Sequence, residues 1–154
     1  MAHTRIKVGE FFEIPLPNGR FAYCQHVAFH QEFGFLIRVF KKVTDQPISS
    51  LQELQGVGEM FPPVFVGLRE AVKSGGWKRT GFLPVVDFGF PMFKVTNGTK
   101  PGEYSDWYLW DGERERFIGK LPPELRSLEL KSIWGYELLE MRVAYGTIPG
   151  AGLH

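Results

Sequence analysis

The alternation of apolar and polar positions predicts a β-hairpin near the start of the chain, over Val8 to Phe29. Two aromatic-rich segments flank Pro17, Asn18 and Gly19. These residue types favour a tight turn, because proline presets φ and asparagine and glycine tolerate positive φ. On the first arm apolar residues recur at every second position, as in a strand with one buried face. The hairpin is expected to form one wall of a β core.

The rest of the chain predicts more strands and two short helices. Phe33 to Phe40 is apolar on both faces apart from Arg38, which is typical of a central strand. Leu68 to Ser74 contains good helix formers, and the two glycines that follow favour the end of a helix. Further strands are expected within 60–68 and 77–83, an edge strand or irregular segment within 85–95, and a second hairpin over 107–118.

The segment Ser132 to Tyr145 predicts a C-terminal helix. Its three- and four-residue spacing places four apolar residues on one side of that helix, namely Trp134, Leu138, Met141 and Tyr145. Together these elements predict a mostly β (α+β) fold. We expect a single antiparallel, strongly curved sheet or a partly open barrel, with one short internal helix and a helix at the C-terminus.

Length and composition narrow the class of protein. At 154 residues the chain fits a single domain over 1–154, with a core at about 7–145 and a flexible tail at 146–154. The formal net charge of +1 gives no field that favours nucleic acid, and no apolar run is long enough to span a membrane. One cysteine, Cys24, forbids an internal disulfide and suits a reducing compartment, so a cytoplasmic location is expected.

Few residues suggest catalysis or metal binding. Cys24 and His26 share a strand face, which makes a cysteine nucleophile with a histidine base geometrically possible, although a lone cysteine beside alanines is usually a small core residue. His26 and His30 lie about 13 Å apart along a strand, too far to share one metal ion. We therefore predict no catalytic, cofactor or metal residues. An enzyme using Cys24 and His26, and a small β-barrel module binding nucleic acid or another ligand, stay as alternatives.

The second hairpin is the one candidate surface for a protein partner. From Glu103 to Glu115, carboxylates are interleaved with aromatic residues, and aromatic side chains dominate interface hot spots while acids complement a basic partner. The competing interpretation is a solvated hairpin whose alternate aromatics are core. The predicted partner-binding residues are Asp106, Trp107, Asp111, Glu113 and Glu115.

Four stretches of the chain resemble the immunity protein 26 family of bacterial polymorphic toxin systems. They are VGEFFEIPLPNGRFAYCQHV, then LREAVKSGGWKRTGFLP, and finally WYLWDG followed by IWGYELLEMRV, so that the resemblance spans roughly Lys7 to Val143. It implies a mostly β, non-enzymatic antitoxin that binds and neutralises the toxin encoded alongside it. Inhibitors of nucleases often carry an acidic surface, whereas this chain has almost balanced charge. The resemblance therefore leaves the type of toxin open.

Overall fold

The computed structural model describes residues 5–96 and 106–146, which form nine strands and two α-helices. The strands are β1 (Glu10–Pro15), β2 (Phe21–His30), β3 (Gly34–Val39), β4 (Val64–Val66), β5 (Lys78–Phe82), β6 (Phe93–Thr96), β7 (Trp107–Trp110), β8 (Glu115–Gly119) and β9 (Ile133–Trp134). The helices are α1 (Leu68–Ser74) and α2 (Tyr136–Tyr145), and short 3-10 turns lie at Leu51–Leu54 and Pro123–Leu125. Within the described residues, no helix is long and apolar enough to cross a membrane.

The described residues fall into two compact units. The first contains 5–88 and 133–146, and the second contains 89–96 and 106–132. A single domain over 1–154 stays a prediction. The predicted flexible tail at 146–154 lies outside the described residues, apart from Gly146, which caps α2, and so does Glu103 at the start of the acid-rich stretch.

The first unit is built on a six-stranded sheet in the order β5-β1-β2-β3-β4-β9. The predicted hairpin is confirmed: β1 and β2 pair antiparallel, and Gly19 adopts φ +81° in the turn. The central position of β3 is confirmed too, because it lies between β2 and β4. The last pair, β4 with β9, is parallel. Helix α1 is confirmed between Leu68 and Ser74.

Both faces of this sheet are covered. On one face, Phe12, Cys24 and Val39 pack with Leu68 of α1 and Leu139 of α2. On the other face a smaller cluster unites residues of β1 and β2 and of the segment after β3: Phe11, Tyr23, Phe40 and Leu54. Successive side chains of β2 therefore pack alternately into the two clusters, with Ala22 and Cys24 in the larger one and Tyr23 in the smaller one.

The second unit contains a three-stranded antiparallel sheet in the order β6-β7-β8. It confirms the second hairpin, whose turn contains Asp111 and Gly112, the latter at φ +101°. The expectation of a single antiparallel sheet is wrong, because β6, β7 and β8 form a sheet of their own and β9 joins the first sheet in parallel. Within the described residues neither sheet closes into a barrel.

Helix α2 exists as predicted but presents a different face to the core. Its buried residues are Leu139 and Val143, whereas Leu138 and Tyr145 are half exposed. The predicted face was counted from Trp134, which lies in strand β9 and not in the helix. Since the helical period begins only after Gly135, the N-cap, the spacing carried across that boundary selected the wrong side.

Candidate functional site

The predicted partner-binding hairpin lies in the second unit, and Asp111 organises its turn. The Asp111 carboxylate accepts hydrogen bonds from the backbone N–H groups of Glu113 and Arg114, both at 2.9 Å. These bonds to the charged form lower the pKa of Asp111. The carboxylate is exposed, so Asp111 shapes the turn and at the same time presents negative charge to solvent.

The other three carboxylates differ in how strongly they are engaged. Asp106 accepts a hydrogen bond from the Thr96 hydroxyl at 3.0 Å. Glu115 forms an ion pair with Lys131 at 2.7 Å. Glu113 is exposed, and its side chain makes no hydrogen bond or ion pair with any described residue. Glu113 is therefore the least engaged of these acids, and Asp111, although bonded within the turn, is exposed to solvent as well.

Trp107 occupies the core of the second unit. Its side chain is buried, and the Lys94 ammonium lies 6.0 Å from the centre of its ring. Lys94 is itself buried and donates a hydrogen bond to the Arg126 carbonyl oxygen at 2.5 Å. Burial lowers the pKa of Lys94. Trp107 thus supports the hairpin from behind instead of standing on its surface.

The structure does not arrange Cys24 and His26 as a nucleophile and base. Cys24 is completely buried, and burial raises the pKa of its thiol, which disfavours the reactive thiolate. The two ring nitrogens of His26 lie 3.1 and 3.0 Å from the carbonyl oxygens of Lys7 and Ala28. In residues 5–96 and 106–146, no three histidine, cysteine or carboxylate side chains come together to hold a metal ion.

A cleft of about 510 Å³ opens on the first unit, on the side of the sheet that carries the smaller cluster. Its floor includes Phe11 and Phe40, whose rings stack with centres 5.7 Å apart. The remaining lining residues come from β3, the 3-10 turn with its flanks, and the end of β5: Arg38, Ser50, Leu51, Gln52, Leu54, Gln55, Gly56, Val57 and Leu83. Arg38 is the one charged residue among the described residues that line the cleft.

Arg38 is held at this cleft by Gln25, the residue opposite it on β2. Gln25 lies opposite Phe11 on one side and opposite Arg38 on the other. Gln25 is fully buried, and its amide oxygen accepts hydrogen bonds from Nε and Nη2 of Arg38 at 3.0 and 2.6 Å. Its amide nitrogen donates to the carbonyl oxygens of Gly9 and Leu83. The position of the guanidinium is therefore fixed by a buried, fully bonded side chain.

Sequence reasoning noted Arg38 as an intruding charge but did not select it as a site residue. The available signal was Gln25, a polar residue within an apolar strand. Only the register between β2 and β3 shows that the two side chains meet, and that register is not readable from either strand alone.

The fold defines a small, mostly β protein with two open sheets, a cleft on one and an acidic hairpin on the other. A model of one protein family, Immunity protein 26, matches residues 7–104, more than half of the chain, and the chain belongs to that family. The match confirms the resemblance found in the sequence, but it ends before strand β7. No curated protein and no solved structure matches the chain.

Proposed function

We propose that this protein is a non-enzymatic, cytoplasmic antitoxin that neutralises a cognate bacterial toxin by binding to it. The observation that carries the proposal is membership of the immunity protein 26 family. The burial of Cys24 supports a binding role over the cysteine-dependent alternative, because a substrate could not reach the sulfur without unfolding.

We propose the β7–β8 hairpin as the toxin-binding surface, with Asp111 and Glu113 making direct contacts with a basic region of the toxin. Asp106, Trp107 and Glu115 would complete this surface by holding the strands in place, through Thr96, Lys94 and Lys131 respectively. A turn fixed before binding loses little entropy on association, and complementary charge accelerates the encounter. The hairpin lies beyond the residues that the family model matches.

The function is tested by co-expression and capture. The gene adjacent to this one, which we expect to encode the toxin, is expressed from an inducible promoter in a heterologous bacterium, with or without the tagged full chain. We expect growth to be rescued by the chain and the toxin to be retained with it in equimolar amounts. A toxin that is neither retained nor neutralised would contradict the proposal.

The surface is tested with substitutions that preserve the turn. Asp111→Asn keeps an oxygen that can accept the two backbone hydrogen bonds, and Glu113→Gln removes the neighbouring charge. We expect the double variant to bind the captured toxin about tenfold more weakly, mainly through slower association at low salt. Glu124→Gln, an exposed acid of the same unit, is the matched control. If the double variant bound the toxin as tightly as the wild type and the Glu124→Gln control do, the hairpin would not be the binding surface.

A further inference from the structure

The Arg38 guanidinium has one bonded edge and one open edge. Nε and Nη2 donate to Gln25, which leaves Nη1 and the second N–H of Nη2 side by side. Neither of these groups makes a hydrogen bond with a described residue, and no ion pair of the described residues includes Arg38. The open edge therefore presents the two parallel N–H donors that match a carboxylate in a bidentate pair.

The surroundings of Arg38 strengthen this preference for an anion. The other lining residues are neutral, and the guanidinium carbon lies 5.2 Å from the centre of the Phe40 ring. Arg38 is only partly exposed, so its charge is less screened by water than that of a surface arginine. An acidic partner would be attracted without competition from a neighbouring carboxylate in the lining.

The shape of the cleft indicates the rest of the ligand. Its volume falls within the range of small-molecule sites, about 300–1,000 Å³. Phe11 and Phe40, which are 3% and 4% exposed, close the base of the cleft, and Leu51 and Leu83 add apolar side chains closer to its mouth. A ligand that fits has an apolar, preferably aromatic, body and one carboxylate.

The 3-10 turn at Leu51–Leu54, which lines the cleft together with Ser50, is held in place before any ligand binds. The Tyr23 hydroxyl accepts a hydrogen bond from the backbone N–H of Ile48 and lies 2.8 Å from the Thr44 hydroxyl. Leu51 packs directly on Gly81, where a Cβ atom would come within 2.7 Å of its side chain. Ser50 caps the 3-10 turn through its hydroxyl. A preformed wall reduces the entropy lost on binding.

We propose that this cleft is a binding site for a small organic carboxylate, with the acid on Nη1 and Nη2 of Arg38 and the apolar body on Phe11 and Phe40. The site is independent of the toxin-binding proposal, because it lies in the first unit and involves none of the hairpin residues. It assigns a role to the buried Gln25: its amide oxygen orients the guanidinium, and its two donated bonds fix the amide itself.

The probe is 4-phenylbutyrate, with 4-phenylbutyramide as its neutral analogue, titrated into the isotopically labelled full chain and followed by NMR. We expect saturable shifts at Leu51, Leu54 and Phe40 with a Kd on the order of 1 mM, and at least about tenfold weaker binding of the amide. Equal binding of acid and amide, shifts elsewhere, or no saturable shift would overturn the proposal.

Two variants link the binding to Arg38. Arg38→Gln should weaken the acid about tenfold while leaving the amide unchanged, and Arg20→Gln, which alters an arginine outside the cleft, should change neither. Should Arg38→Gln fail to fold, Leu83→Glu offers a second test, because it places a competing carboxylate on a half-exposed lining residue. The peptide N-acetyl-Phe-Asp amide is a third probe, which tests whether the carboxylate comes from a protein side chain instead of a free acid. Binding of the peptide without binding of 4-phenylbutyrate would overturn the proposal of a small-acid site.

Discussion

The indole N–H of Trp77 donates a hydrogen bond to the Glu140 carboxylate at 2.8 Å. Trp77 follows α1 and is almost completely buried, whereas Glu140 lies on α2. This bond connects two parts of the first unit that are 63 positions apart. Burial raises the pKa of Glu140, against the opposing effect of the Trp77 bond.

Removing the acceptor for Trp77 should destabilise the protein more than removing the charge. Glu140→Ala leaves the buried indole N–H unpaired and is expected to lower the free energy of unfolding by about 1–3 kcal/mol. Glu140→Gln retains an oxygen acceptor and should be much closer to wild type. Urea unfolding at pH 7 measures both, and equal losses would show that the bond is not the source of stability.

Glu140 should also give a pH dependence of known sign. Because its pKa is raised in the folded state, the folded protein binds the proton more tightly, and the resulting stability is present below the ordinary pKa of 4.5 and is lost as pH rises through the folded value. Glu140→Gln should remove this slope from the unfolding free energy. A variant with the wild-type slope would contradict the assignment.

His26 should make the free energy of unfolding depend on pH with the opposite sign. Burial lowers its pKa from the ordinary value of 6.5, despite the carbonyl oxygens of Lys7 and Ala28, which favour the protonated ring. The unfolded chain then takes up the proton first. The stability it contributes is present above pH 6.5 and is lost as pH falls through the folded pKa. An NMR titration of the His26 ring would refute this by giving a midpoint at or above 6.5.

Cys24 should be inert in the native protein. Its buried, protonated thiol is expected to react with a disulfide reagent only in urea, since access requires unfolding. Cys24→Ser, which buries a hydroxyl among apolar side chains, should cost about 1–3 kcal/mol. Cys24→Ala should still protect cells from the toxin in the growth assay, and loss of protection by a folded Cys24→Ala protein would revive the enzyme hypothesis.

Two arginines provide a matched comparison of ion pairs. Nη1 of Arg79 lies 2.6 Å from both carboxylate oxygens of Glu10, and their side chains are 29% and 13% exposed. Arg20 pairs with Asp45, where the exposures are 46% and 83%. Arg79→Ala should cost about 1.5–3 kcal/mol and Arg20→Ala less than about 1 kcal/mol in the free energy of unfolding. Equal losses of unfolding free energy would contradict the expectation that the less exposed ion pair contributes more to stability.

Elements with local signals were predictable from sequence. The β1–β2 turn is marked by Asn18 and Gly19, and the end of α1 by Gly75 and Gly76. The parallel pairing of β9 with β4 could not be predicted, because a two-residue strand has no periodicity of its own. The orientation of α2 depends on the same distant contact.

The candidate sites divide in the same way. The sequence shows that the second hairpin is rich in acidic residues. It does not show that Glu115 forms an ion pair while Glu113 does not, because the partner of Glu115, Lys131, is distant in the chain. The sequence is consistent both with a buried and with an exposed Trp107, because aromatic residues serve both as core and as interface anchors, and only the structure shows that it is buried. The Arg38 cleft depends on strand register and on a 3-10 turn, and neither has a strong sequence pattern.

The insertion of 89–132 between β5 and β9 has a consequence for synthesis. During translation at about 5–20 residues per second, β4 is synthesised several seconds before β9, the strand that pairs with it in parallel. Until Leu139 and Val143 emerge, the apolar face that they cover has no helix α2 to cover it. The nascent chain therefore passes through a stage in which the first unit lacks β9 and α2, and the apolar face that α2 covers in the folded protein is open to solvent.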